Sequence, residues 1–163
     1  MLKVKADFIG AIRDCFLEIS EIAAHINKNP FDSKNKYLQM YITLRCCGVV
    51  ETIYKNIIYD RVVIGVSGTQ VINYLDKTLL QSSSNPSYEN ICSQLKKFDD
   101  TWKDSFKKNF VKNDRKLMHL DTLVGLRNKI AHGINITVPS VNDIKEYFYS
   151  CCWVLSYLEK ATI

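Results

Sequence analysis

The chain is predicted to be all-α, an antiparallel helical bundle of five to six helices, and two observations carry that expectation. Apolar residues recur at three- and four-residue steps through most of its length, the spacing that lines one face of a helix. Helix-breaking groups punctuate those runs at Asn29-Pro30, Gly65-Val66-Ser67-Gly68, residues 81–87 and Gly133, and the short connections between them favour antiparallel neighbours. At 163 residues the chain fits one domain, residues 1–163, long enough to bury a sizeable core.

Over residues 7–27, Phe8, Ile12, Cys15, Phe16, Ile19, Ile22, Ala23 and Ile26 keep helical step, and Asn29-Pro30 ends the run because a residue before proline is pushed out of the α region. His25, at the end of that helix, reads as a surface or capping residue. After the cap signal Asp32-Ser33, residues 36–63 carry hydrophobics on nearly every face, which predicts the central helix. Within it, Glu51 is in phase with Leu44, Cys47, Tyr54 and Ile58. A lone carboxylate is costly on such a face, so Glu51 either pairs with Arg127 or Arg45 or sits at an edge where it reaches water.

A short helix restarts at Val71, Ile72, Leu75 and Leu79 behind a Ser67 or Thr69 cap, and Gln81-Ser82-Ser83-Ser84-Asn85-Pro86-Ser87 is a low-complexity loop too short to divide domains. Residues 88–110 read as one amphipathic helix with the stripe Ile91, Leu95, Phe98, Trp102 and Phe106. Asn113 or Asp114 caps the next helix, which runs to Gly133 and carries His119 one turn after Arg115; His119 reads as a helix-surface residue. Residues 134–138 alternate as an extended connector. Ser140 then caps a last helix through Ile144, Tyr147, Phe148, Cys151, Val154, Leu155 and Leu158.

Composition excludes several classes. With 47% hydrophobic and 24% charged residues, the chain is ordinary globular material, and no apolar run approaches the roughly 20 residues of a membrane span. The first seven residues offer no export signal, so the expected location is cytoplasmic. Cys15, Cys46, Cys47, Cys92, Cys151 and Cys152 include no Cys-x-x-Cys and no Cys/His ligand pair, and are expected as reduced core hydrophobes. Charge is concentrated: residues 96–116 hold eight cations against four carboxylates, and so supply most of the net +5. That strip either steers a polyanion or is an ordinary solvated face with interspersed acids. Asp100 and Asp104 stand at metal-compatible spacing, but with no third ligand nearby no metal site is expected.

The most selective stretch is Leu126-Arg127-Asn128-Lys129-Ile130-Ala131-His132-Gly133. Arg127 is in phase with Leu120, Leu123, Val124 and Ile130, which puts a guanidinium on the apolar stripe, where it needs an anion: a carboxylate, or a substrate phosphate bound through two parallel hydrogen bonds. His132 lies about 140° around the helix from Arg127. The two can serve one site only if Gly133 is a left-handed cap that places His132 at the helix end, free to turn back.

This ending resembles the HEPN superfamily, small all-helical domains whose ribonuclease members carry Arg-x4-6-His with a polar residue after the Arg; here Arg127, Asn128 and His132 fill that pattern and are followed by Gly133. The resemblance is specific over about twenty residues and otherwise rests on helical order and length. It implies a metal-independent endoribonuclease without cofactor. RNA's own 2′-hydroxyl would be the nucleophile, His132 would transfer the proton, Arg127 would hold the phosphate and Asn128 would orient the phosphate or His132, with Glu51 supporting Arg127. Lys103, Lys107, Lys108 and Lys129 are the expected RNA contacts. The resemblance also implies a homodimer that brings two Arg/His sets into one cleft, and a role as a toxin or phage-defence effector with a cognate antitoxin or other neutralising protein. The alternative is a non-catalytic HEPN-like module that binds a nucleotide, RNA or a protein partner. A plain helical domain, with Arg127 salt-bridged and His132 a mere cap, is the third reading.

Overall fold

The computed structural model describes residues 6–163, with side chains from Phe8 onward; the first residues, where an export signal was sought, lie outside the described part. Seven α-helices follow one another: α1 (Ala6–Lys28), α2 (Asn35–Val62), α3 (Thr69–Leu75), α4 (Tyr88–Phe98), α5 (Asp100–Lys107), α6 (Arg115–Ala131) and α7 (Val141–Ala161). The last turn after α3, Asp76–Leu80, widens to π geometry. The all-helical expectation holds, and no strand occurs among the described residues.

Helix α2 is the axle. It packs against α1, α4, α6, α7 and the π turn. Ile42, Cys46, Val50, Ile53, Tyr54 and Ile58 along it are each at most 2% exposed. Its one open face, along Tyr37, Tyr41, Leu44, Gly48 and Thr52, also carries large apolar side chains, which is why its hydrophobics showed no single stripe. One contiguous core joins α1, α2, α4, α5, α6 and α7 through Cys15, Ile19, Leu95, Phe106, Leu123, Phe148 and Leu158. Five of the six free cysteines are buried there and the sixth is half-buried; the Cys15 and Cys46 thiols lie 3.6 Å apart.

Several caps match the sequence. Asp114 accepts from the Lys116 amide at 2.8 Å to start α6, with Asn113 before it at φ 62°. Ser140 and Asp143 cap each other's backbone at the start of α7, a reciprocal pair that satisfies two otherwise orphaned donors.

Three local expectations are corrected. The segment expected as one helix over residues 88–110 is two, because Asp99 leaves the helical region (φ −159°, ψ 120°) and its carboxylate accepts from the Thr101 amide and hydroxyl, both at 2.7 Å. That pair of donors holds the Asp99 carboxyl below the usual carboxylate range, the hydroxyl acting most strongly. The apolar stripe crosses the break in phase, so periodicity could not reveal it, and the helix count rises to seven. Gly68, not Ser67 or Thr69, is the residue that starts α3, and no side chain caps it. Asp32 lies two positions before the capping residue Lys34, whose amide it accepts from at 2.9 Å in the turn before α2.

Candidate functional site

At its C-terminal end α6 closes as the sequence requires. Gly133 takes φ 67°, its amide donates to Ile130 O at 3.0 Å, and the Ile134 amide reaches back to Lys129 O at 2.9 Å. That pair of bonds is the left-handed termination that only glycine enters without strain, and it makes His132 the capping residue. The extended connector that follows is tied to α2 by Lys36 Nζ, which donates to Asn135 Oδ1 at 3.1 Å.

Leu120, Leu123 and Val124 of α6 are buried against the core, and Arg127, next on the same side, emerges at its edge with about a third of its side chain exposed. Its Nη1 donates to two neutral amide oxygens, Asn85 Oδ1 at 2.8 Å and Asn128 Oδ1 at 3.0 Å. Its Nη2 stands 3.9 Å from Glu51 Oε2, beyond hydrogen-bond length. Glu51 has a nearer cation: Lys55, one turn on along α2, donates to Glu51 Oε1 at 2.6 Å and also to the carbonyl of Ser82. Lys55 is 5% exposed, so its charge is answered locally by that carboxylate and carbonyl. Of the two partners the sequence offered for Glu51, Arg127 is the one beside it; Arg45 is taken by Glu18 at 3.1 Å.

The consequence is electrostatic. A carboxylate already engaged by Lys55 is a weak counter-ion for Arg127, and the two asparagines supply geometry without charge. The guanidinium is therefore oriented by neutral amides through Nη1, while Nη2 faces a carboxylate that it shares with Lys55, so two cations meet one anion. Its field reaches into the core: burial pushes the Cys47 thiol up to about 12, with Arg127 pulling it down and Glu51 pushing it further up.

The structure brings Arg127, Asn128 and Glu51 together and leaves His132 exposed at the helix end; among the described residues its ring has no hydrogen-bond partner. Asn128 turns its carbonyl to Arg127, so its visible role is to orient the guanidinium. Lys129 is exposed in the last turn of α6. Lys107 and Lys108 are exposed at the end of α5, whereas Lys103 is held by Asp100 at 3.2 Å and Asp104 at 3.5 Å on its own helix, and that contact with Asp100 raises its pKa. Asp100 and Asp104 thus face a lysine. Among the described residues no three His, Cys, Asp or Glu side chains converge as a metal site would require.

Two members of the cluster escaped sequence reasoning. Lys55 had a signal, its i, i+4 spacing from Glu51 on a helix. Asn85 had none. It comes from the serine-rich loop, which is pinned to α2 by Lys55 on Ser82 and by Tyr54 Oη, which donates to Ser84 Oγ at 2.7 Å, while Ser87 caps α4. The stretch with the least sequence complexity is therefore a wall of the site.

The model of one protein family, described as RiboL-PSP-HEPN, matches residues 11–162. No curated protein and no solved structure matches the chain. No helix among the described residues is long and apolar enough to cross a membrane.

Proposed function

Because the chain belongs to the RiboL-PSP-HEPN family, we propose that it is a metal-independent endoribonuclease working at Arg127, Asn128 and His132. The observation that carries this reading is the guanidinium of Arg127, fixed by Asn85 and Asn128 and sharing its nearby carboxylate, Glu51 at 3.9 Å, with Lys55. A phosphodiester meets that need. In the reaction a base takes the proton of the RNA 2′-hydroxyl, whose oxygen attacks the adjacent phosphorus. The phosphorane spreads negative charge toward Arg127. The bond to the 5′-oxygen then breaks, and an acid protonates that leaving group, giving a 2′,3′-cyclic phosphate and a 5′-hydroxyl.

His132, at the end of the helix that carries Arg127, is the group of suitable chemistry, and one imidazole cannot be base and acid in the same step. A symmetric homodimer placing two His132 rings across one cleft resolves this, and closed two-fold dimers are the commonest homo-oligomers. A second subunit would also give the exposed His132 ring the surroundings it lacks in one chain. Lys129, Lys107 and Lys108 add attraction for the polyanion, with Lys103 contributing less because its own acids hold it. Unchecked cleavage of cellular RNA would arrest growth, so the enzyme acts as a toxin or phage-defence effector kept silent by a cognate neutralising protein, in the cytoplasm where RNA is.

The exposure of His132 favours one competing reading, a module that binds RNA, a nucleotide or a protein through Arg127 without cutting. Induction of wild type and His132→Ala side by side separates the two. The enzyme reading expects growth arrest and RNA breakdown with wild type alone; equal effects of both chains would leave only the binding module.

A further inference from the structure

The outer face of α7 carries a feature that the Arg127 cluster does not use. Tyr149, Trp153 and Tyr157 follow at i, i+4 and i+8, so their rings climb one side of the helix by about 6 Å per step. Ring centroids are 6.4 Å apart from Tyr149 to Trp153 and 6.3 Å from Trp153 to Tyr157. Two of the rings are open to solvent, Tyr149 at 55% and Trp153 at 40%. Tyr157 packs on the core, but the fold does not require Tyr149 and Trp153 where they are: the inward side of α7 is filled by Ile144, Phe148, Cys151, Val154, Leu155 and Leu158. Two adjacent exposed large rings that the core does not use point to a ligand.

Charge narrows the ligand. The Lys116 ammonium stands 5.9 Å from the centre of the Tyr157 ring and that of Lys160 stands 5.8 Å from it. Lys108 lines the same surface cleft as Lys160, because Phe106 and Phe110 stack in a chain that ends on Tyr157 and holds the end of α5 against α7. Lys145 lies one turn before Tyr149, exposed. Of the carboxylates nearby, Glu146 is engaged by Arg115, Asp104 in the cleft lies 3.5 Å from Lys103, and Asp114 stands 4.0 Å from Lys116. The row therefore runs into positive charge, which suits a polyanion better than an apolar peptide.

We propose that this face binds single-stranded RNA, with bases stacking on Tyr149 and Trp153 and phosphates held by Lys116, Lys160 and Lys108 around Tyr157; the proposal rests on the ribonuclease reading and names the form of RNA it takes. The Tyr149 and Trp153 rings stand at 82° to each other, so they do not sandwich a base between them and each exposed ring offers a face of its own to a separate base. Paired bases are already stacked on both faces, so the row selects unpaired RNA. Every base has a π face, so it does so with little regard to sequence.

The test uses His132→Ala protein, which the ribonuclease reading expects not to cut its probe, with Trp102→Phe added so that Trp153 is the one tryptophan left. A short unstructured oligouridylate should quench Trp153 emission in parallel with the rise in its own anisotropy, and a duplex of the same length should quench little. With Trp102 restored, Trp153→Leu and Tyr149→Leu should each weaken oligouridylate binding about tenfold or more while circular dichroism stays helical. Unchanged affinity in both leucine variants, with no quenching, would overturn the stacking surface. So would a Trp153→Leu chain that falls from dimer to monomer in light scattering, which would give the row to a second copy. Cleavage of a dinucleotide by the unaltered protein reads the ribonuclease separately: quenching without cleavage would keep the row and remove the enzyme, and cleavage without quenching the reverse.

Discussion

Helix α6 carries an arginine and a histidine at each end, Arg115 with His119 and Arg127 with His132, and the two pairs live in different surroundings. At the N-terminal end the charges are answered. Arg115 binds Glu146, its Nε lies 3.4 Å from His119 Nε2, His119 Nδ1 sits 2.8 Å from Ser150 Oγ, and the imidazole leans on the Tyr147 ring with centroids 4.9 Å apart. At the C-terminal end the arginine is held by neutral amides, the nearest carboxylate prefers Lys55, and the histidine is bare. The same residue types thus make a fastener between α6 and α7 in one place and leave an amide-held guanidinium and an exposed imidazole in the other. What separates them is the partner set, which neither Arg-x3-His nor Arg-x4-His spells out.

The sharpest way to break that contrast is to remove each histidine. His132→Ala should cut ribonuclease activity by about 10²-fold or more, the usual scale for losing a general acid–base group, and leave thermal stability within a degree or two, since the exposed ring holds nothing in place. His119→Ala should do the reverse: activity within a few-fold, stability down by about 1–2 kcal/mol through the lost bond to Ser150, read by urea unfolding. Comparable activity losses at both ends would erase the distinction.

The arginines come next. Arg127→Gln keeps a donor at the site but removes the charge, and should cost about 10²-fold in kcat, the scale of one contact to transition-state charge. Arg115→Gln breaks an exposed pair with Glu146 and should change stability by less than about 1 kcal/mol and activity hardly at all. A smaller effect is expected at Asn85, which orients Arg127 without touching the reaction: Asn85→Ala should lower kcat by about tenfold, whereas Asn85→Asp, by neutralising Arg127, should approach the loss seen in Arg127→Gln. If Asn85→Asp stays as active as wild type, Arg127 does not work through its charge. Smallest of all, Lys107→Glu with Lys108→Glu should weaken RNA binding and flatten its salt dependence with the helical signal intact; an unchanged salt slope would leave those lysines to solubility.

Much of the architecture was legible because the residues that set it act over one helical turn. The stripes of α1, α6 and α7, the Asp114 and Ser140 caps and the left-handed Gly133 are local features with local causes. Where Asp99 splits α4 from α5, two local signals conflict: the stripe continues while the Asp-Thr cap breaks the backbone, and a reading that weighs hydrophobic period alone favours the first. The site is legible in a similar proportion. Arg127 and Asn128 share one helix turn, so phase was enough to put them together. The Asn85 contact spans 42 positions and depends on how residues 81–87 lie across α2, which no spacing encodes. The 3.9 Å separation of Glu51 from Arg127 was equally hidden, because a helix with apolar residues on its open face as well as its buried ones gives its polar residues no preferred phase.

The central claim is that Arg127 and His132 cut RNA through its own 2′-hydroxyl, and one measurement meets it head on: purified wild-type protein, in excess EDTA, given a single-stranded RNA and the same strand carrying one 2′-deoxy group at the cut. The account predicts cleavage of the first to a 2′,3′-cyclic phosphate and a 5′-hydroxyl, none at the deoxy position of the second, and none of either by His132→Ala. Cleavage that stops in EDTA and returns with magnesium, or that proceeds at the deoxy position, would contradict it.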